Sequence, residues 1–128
     1  MQRETFSSGT PWEPLVGYAR AVRVGTNIYV SGTVASGADG GIIGVDDPYT
    51  QAAQALRNII RALESFGAGA VNVVRTRIYV ANIDHWREIG KAHAEVFGRV
   101  KPATTMVEVS RMITPEVLVE IEADAVLA

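Results

Sequence analysis

The chain has 128 residues, of which 48% are hydrophobic and 20% charged, so one globular domain over residues 1–128 is expected. Twelve Lys and Arg against fourteen Asp and Glu give a net charge of −2, which argues against a dedicated nucleic-acid binder. The absence of cysteine excludes disulfides, thiolate nucleophiles and Cys-ligated metals. No run of apolar residues is long enough for a membrane span or a signal peptide, so a cytoplasmic protein is expected.

The N-terminal part of the chain divides into a lead-in, a hairpin and a loop. Residues 1–16 contain two prolines and several hydroxyl residues, which predicts an irregular segment. Gly25-Thr26 suits a type II′ turn between two short strands. Those strands are predicted from β-branched residues at alternate positions, namely Val22, Val24, Ile28 and Val30. Four glycines predict a flexible loop over Ser36–Gly44.

Two amphipathic helices are predicted next. Asp47 followed by Pro48 is typical of a helix start, with an Asx cap and a proline at the first position. Apolar residues then recur at helical spacing, and Gly67 is a plausible stop. A second helix is expected from near Asp84 to Gly98. Its apolar stripe consists of Trp86, Ile89, His93, Val96 and Phe97.

Three further strands are predicted at 71–80, 104–110 and 117–127, where β-branched and alternating residues dominate. Alternation puts Val73, Arg75, Arg77 and Tyr79 on one face of the first of them. The order is therefore ββαβαββ, an α+β fold with two helices on one face of a mixed sheet of five or six strands. Two strand faces are polar although their strands are strongly β-branched: one carries Arg75 and Arg77, and the other carries Glu120 and Glu122. This combination predicts that the sheet packs against copies of itself, with charged groups at the contacts.

Residue patterns alone give little indication of what chemistry the protein performs. His85 and His93 lack metal-ligand spacing, and His93 is expected to be a hydrogen-bonded core imidazole. The glycines of 37–41 lack the lysine of a phosphate-binding loop. Glu120 lies in an apolar strand, where a carboxylate is exposed, held as a general acid or base, or paired with an arginine such as Arg75, Arg77 or Arg111.

Two blocks of the sequence resemble one protein family. Pro102-Ala103, Val107-Glu108-Val109 and Arg111, followed by Val119-Glu120-Ile121-Glu122-Ala123, are similar to the C-terminal signature of the Rid (YjgF-like) imine/enamine deaminases. Gly17-Tyr18 and Tyr29-Val30-Ser31-Gly32 match the family's N-terminal landmarks. The resemblance covers essentially the whole chain after residue 16. It implies a chorismate-mutase-like fold of the bacillus type, a homotrimer with clefts between subunits, and cofactor-free hydrolysis of 2-imino acids to 2-keto acids and ammonia.

The resemblance also implies site residues. Glu120, Tyr18 and Ser31 take the catalytic positions, and Gly32, Thr104 and Thr105 take ligand-binding positions. The family motif Pro-Ala-Arg-Ser reads Pro102-Ala103-Thr104-Thr105 here, so the chain falls in a subgroup without the arginine that clamps a substrate carboxylate.

The missing arginine leaves three functions open. The first is hydrolysis of an imine, enamine or related small metabolite other than a standard 2-imino acid. The second is a non-catalytic trimer that binds a small ligand or a protein, and the third, disfavoured by the charge, is an endoribonuclease. Trp12 is expected either to bind ligand at the cleft mouth or to tether the N-terminal segment. No cofactor and no metal are expected, and the candidates for a replacement cation are Arg20, Arg23, Arg75 and Arg77.

Overall fold

A computed structural model describes residues 2–128. Its six strands are β1 (Arg3–Phe6), β2 (Ala21–Val24), β3 (Asn27–Thr33), β4 (Val73–Val80), β5 (Ala103–Glu108) and β6 (Val119–Val126). The α-helices are α1 (Trp12–Val16), α2 (Pro48–Glu64) and α3 (Trp86–Phe97), and Ala70–Asn72 and Ile83–His85 are short 3₁₀ helices. One sheet joins the strands in the order β1-β2-β3-β6-β4-β5, with β4 and β5 parallel and the other neighbours antiparallel. Helices α2 and α3 pack together over one face of it, which confirms the predicted α+β fold with a mixed sheet.

The prediction of an irregular lead-in over residues 1–16 is wrong. Arg3–Phe6 pairs antiparallel with β2 at the sheet edge, and Trp12–Val16 forms a short helix that ends at Gly17 with φ +90°. Strand β1 is mostly exposed, so no alternation of apolar residues marks it in the sequence. Its conformation depends on hydrogen bonds to β2, which a local pattern does not encode.

The predicted start of α2 at Asp47-Pro48 is confirmed. The Asp47 carboxylate accepts a hydrogen bond from the Thr50 N–H at 3.0 Å, and Pro48 is the first helical residue. In α3, Ile89, Ala92 and Phe97 are buried. Trp86 is the exception to the predicted stripe, because it begins the helix and is 51% exposed.

Alternation along the strands separates a buried face from an outer face. In β6, Val119, Ile121, Ala123 and Ala125 are buried, which confirms the alternation predicted for residues 117–127. Strand β4 follows its predicted alternation only from Arg75 onward. A register shift against β6 between Val73 and Arg75 turns Val73 into the core, where the pattern had placed it with the arginines.

His93 behaves as a core imidazole, as predicted. Its Nε2 lies 2.9 Å from Thr76 Oγ1, its ring packs against Phe97, and burial lowers its pKa. Within residues 2–128, no helix is both long and apolar enough to cross a bilayer. The same residues contain no group of three or more His, Cys, Asp or Glu placed to hold a metal ion.

Candidate functional site

A cleft with a volume of about 650 Å³ opens where β3 leaves the sheet. Its walls come from the N-terminal segment, the loop after β3 and one face of α2. Four of the residues singled out from the sequence line it, namely Trp12, Tyr18, Gly32 and Glu120. Ser31, Thr104 and Thr105 are not part of this lining. The chain therefore brings together about half of the expected site by itself.

Glu120 and Gly32 are in close contact inside the cleft. The β3–β6 ladder is irregular between Val30 and Thr33, so Gly32 lies beside the Glu120 side chain. A Cβ at position 32 would overlap the Glu120 Oε2 atom and lie 3.0 Å from its carboxyl carbon. The observed position of Glu120 therefore requires glycine at position 32, because glycine is the only residue without a Cβ.

The Glu120 carboxylate is half-buried and chemically available. Burial raises its pKa, the charge of Arg20 lowers it, and the charge of Glu122 raises it further. Of the alternatives for Glu120, an ion pair with an arginine does not form within the part of the chain that the structure describes, since Arg77 lies 3.7 Å from Glu122 and 3.3 Å from Asp124 instead. Among residues 2–128, no side chain or backbone N–H donates a hydrogen bond to Glu120. Its oxygens are thus free to accept a proton or to bind a ligand.

Arg20 is the buried cation of the cleft, with only 5% of its surface exposed. Its Nη1 donates to the Gly32 carbonyl at 2.5 Å and to Thr33 Oγ1 at 3.2 Å. Its Nη2 donates to the Tyr18 hydroxyl at 3.3 Å, and its Nε donates to Ser8 Oγ at 3.3 Å. The guanidinium therefore holds both Tyr18 and Gly32. Sequence reasoning named Arg20 only as one of four possible cations.

Glu13 is the counterion of Arg20, at 3.6 Å, and is only 3% exposed. It accepts hydroxyl hydrogen bonds from Ser7 at 2.9 Å, Ser8 at 2.5 Å and Thr10 at 2.7 Å. The backbone N–H groups of Ser8 and Thr10 also donate to it, at 3.2 and 3.4 Å. Burial acts to raise its pKa, but these hydrogen bonds and Arg20 outweigh burial and lower the pKa to about 2. The sequence indicates this network only through the spacing of two residues, since Glu13 follows Thr10 by three positions.

Ser31 supports the cleft from outside. Its hydroxyl donates to the Ala19 carbonyl at 2.7 Å, and its N–H donates to the Arg20 carbonyl at 2.9 Å. Both bonds tie β3 to the segment that carries Tyr18. A catalytic role for Ser31 stays a prediction, while its contacts are those of a residue that holds a neighbouring segment.

Thr104 and Thr105 lie on the edge strand β5, separated from β3 by β4 and β6. Thr104 Oγ1 lies 2.8 Å from Thr76 Oγ1 and also donates to the Pro102 carbonyl at 3.2 Å. Within one chain, these threonines lie outside the cleft lining that contains Glu120. Trp12, by contrast, is half-buried at the start of α1 and lines the cleft, and its role in binding a ligand or tethering the segment stays a prediction.

Comparisons with known proteins agree with the fold. The family model described as Endoribonuclease L-PSP matches residues 10–127. An uncharacterized protein of Streptomyces coelicolor is 40% identical over 118 residues, which are 92% of this chain and 87% of that protein. A RutC family protein of Pyrococcus abyssi is 32% identical over 125 residues, 98% of each chain.

A solved structure is also closely similar. It is the crystal structure of a Mycobacterium tuberculosis protein described as a member of the highly conserved YjgF/YER057c/UK114 family. The two chains share 49% identity with a TM-score of 0.90, over 98% of this chain and 100% of the other. The resemblance found in the sequence is therefore confirmed.

Proposed function

Because this chain belongs to the YjgF/Rid/RutC family, which the Endoribonuclease L-PSP model describes, we propose that its cleft hydrolyses the C=N bond of a small imine or enamine. One observation carries the proposal. Glu120 presents a half-buried carboxylate with a raised pKa, which accepts no hydrogen bond from residues 2–128, in a cleft that also contains the Tyr18 hydroxyl. A raised pKa makes a carboxylate a stronger base, which suits it to accept a proton from water.

The chemistry requires only water and these two groups. The ionised Glu120 accepts a proton from water as the water oxygen bonds to the imine carbon, and the C=N electron pair moves to nitrogen. The protonated Glu120 then returns its proton to that nitrogen. Collapse of the carbinolamine to a carbonyl releases ammonia, so imine and water become carbonyl compound and ammonia. The Tyr18 oxygen accepts a bond from Arg20, which leaves the hydroxyl proton free for the substrate.

The substrate we propose lacks the carboxylate of a standard 2-imino acid. Thr104 stands where the family motif has its carboxylate-binding arginine, and a threonine hydroxyl carries no charge. Arg20 does not replace it, because four hydrogen bonds and the Glu13 ion pair already engage the guanidinium. Arg61 also lines the cleft, but it is exposed on α2, where water screens its charge.

We propose a homotrimer in which Thr104 and Thr105 of one subunit complete the cleft of a neighbour. The outer face of the sheet supports this, because it exposes Tyr29 (49%) and Val107 (42%) among partly buried charged residues. Sedimentation equilibrium should give three times the chain mass of 13.7 kDa. A mass of 13.7 kDa, that of one chain, would mean that no neighbouring subunit is present to contribute Thr104 and Thr105 to the cleft.

The test of the function compares two classes of imine made in situ. An amine oxidase supplies imines without a carboxylate, and an amino-acid oxidase supplies 2-imino acids. We expect the native protein to accelerate ammonia release from the first class and not from the second. Acceleration of neither class, together with thermal stabilisation by an amine or carbonyl compound, would instead support the ligand-binding alternative.

Thr104→Arg is expected to gain hydrolysis of 2-imino acids, by about 10-fold or more, because a guanidinium restores a charge-assisted bond to the carboxylate. Thr104 is exposed at the sheet edge, so the larger side chain has room. Ammonia release from the amino-acid oxidase mixture measures the gain. Ala94→Arg is the matched control, since it adds the same charge at an exposed position of α3 outside the lining of the cleft. An equal gain in both variants would contradict the prediction.

A further inference from the structure

The hydrolysis described for Glu120 involves Arg20 only through its bond to Tyr18, and it gives no role to the buried ion pair between Glu13 and Arg20. A buried pair of charges is a poor source of stability, because desolvation offsets much of the attraction. This pair nevertheless lies at the back of the cleft, with Arg20 in contact with two of the residues that line it. Its position therefore calls for an explanation other than packing.

We propose that Glu13 and Arg20 are the positioning residues of the cleft: Glu13 anchors the guanidinium, which fixes Tyr18 and Gly32 and faces Glu120 with a positive charge. The turnover part of this inference rests on the proposed function, whereas the electrostatic part does not.

The anchor is rigid because Glu13 is itself fully bonded. Three hydroxyls and two backbone N–H groups from residues 7–10 donate to its carboxylate. The guanidinium is therefore attached to a network that spans the N-terminal segment and α1. A cation held in this way keeps its position when a ligand enters.

Arg20 holds the Gly32 carbonyl and the Tyr18 hydroxyl, and both groups act on the proposed reaction: Gly32 contacts Glu120, and Tyr18 shares its cleft. Its bond to the Gly32 carbonyl fixes the backbone whose missing Cβ makes space for Glu120. Its bond to the Tyr18 oxygen uses one lone pair and directs the hydroxyl proton elsewhere. Loss of the guanidinium would release both groups at once.

The charges around Glu120 make the proposal testable. Arg20, just before β2, lines the same cleft, Glu122 is the next residue on the same face of β6, and Tyr79 is the register partner of Glu120 on β4. Tyr79 donates its hydroxyl to Glu122 at 2.7 Å. Tyr18 shares the cleft, and Glu13 lies behind Arg20. Arg20 alone among these acts to lower the pKa of Glu120.

The test is the titration of the Glu120 carboxyl in full-length ¹³C-labelled protein, assigned with Glu120→Gln. If Arg20 faces Glu120 as a cation, Arg20→Gln moves the midpoint upward, and the acid limb of the rate profile moves with it. If Arg20 only supports the fold, the loosened cleft admits water, and the raised pKa falls toward its ordinary value. A downward or unchanged midpoint overturns the proposal. Arg23→Gln is the control, because Arg23 bonds to the Gly25 carbonyl outside the cleft.

Arg20→Lys separates charge from geometry and serves if Arg20→Gln does not fold. It keeps the positive charge, but a single ammonium group does not reproduce the planar fork. We expect a midpoint close to that of the native protein and a kcat about 10-fold lower at unchanged KM. Native kcat, or a rise in KM alone, overturns the positioning role. If the native protein turns over no imine, the proposed function fails, while the titration still decides this inference.

Discussion

Gly32→Ala is expected to abolish turnover while the protein stays folded. The added Cβ would overlap Glu120 Oε2 and lie 3.3 Å from its Cγ. These atoms belong to a flexible side chain, so Glu120 can rotate away at little cost in stability. The carboxylate then leaves the position from which it would activate water. General base catalysis typically contributes about 100-fold or more, and we expect a loss of that size.

Steady-state ammonia release and a thermal melt measure the two halves of this prediction. Glu120→Gln sets the activity expected when the base is lost. Gly90→Ala, in α3, is the matched control, because a Cβ there meets no atom within 4 Å. Full activity in Gly32→Ala would show that the observed position of Glu120 is not required for catalysis. A large fall in melting temperature would show that the contact is structural.

Glu13→Gln should lower the free energy of unfolding by about 3 kcal/mol at neutral pH. The carboxyl has an ordinary pKa of 4.5 and about 2 in the folded chain. Each unit of that difference corresponds to roughly 1.4 kcal/mol. A glutamine keeps the shape of the side chain but loses the charge that pairs with Arg20, and its NH₂ group cannot accept the hydrogen bonds that one carboxylate oxygen receives in the native protein.

The effect should depend on pH in a defined direction. A carboxyl with a lowered folded-state pKa contributes its full stability above the unfolded value, here 4.5, and loses it as the pH falls toward about 2. Urea unfolding of both proteins at one concentration should therefore give curves that converge over that window. The exposed Glu4→Gln is the control, with little change expected. A difference that stays constant with pH would place the effect outside the ionisation of Glu13.

Several features followed from local sequence because the interactions behind them are local. The Asp47 side chain caps a helix whose N–H groups lie three residues away, so Asp47-Pro48 predicted the start of α2 correctly. The period of two over residues 117–127 predicted a strand with two different faces, and the burial of every second residue of β6 confirms it. The blocks around Tyr18 and Glu120 were sufficient to identify the family, which the comparisons confirm.

Features that depend on distant segments were missed or left open. Strand β1 exists through its pairing with β2, and Val73 turns inward because of a register shift against β6. The arrangement of the cleft also depends on contacts between segments that are distant in the sequence. The sequence by itself determined the fold and the family. It also placed Glu120 at the family's catalytic position and showed that Thr104 replaces the arginine that binds a substrate carboxylate in the family. Only the tertiary structure decided that Arg20 is already engaged, because its partners come from four separate parts of the chain: residue 8, residue 13, residue 18 and residues 32–33.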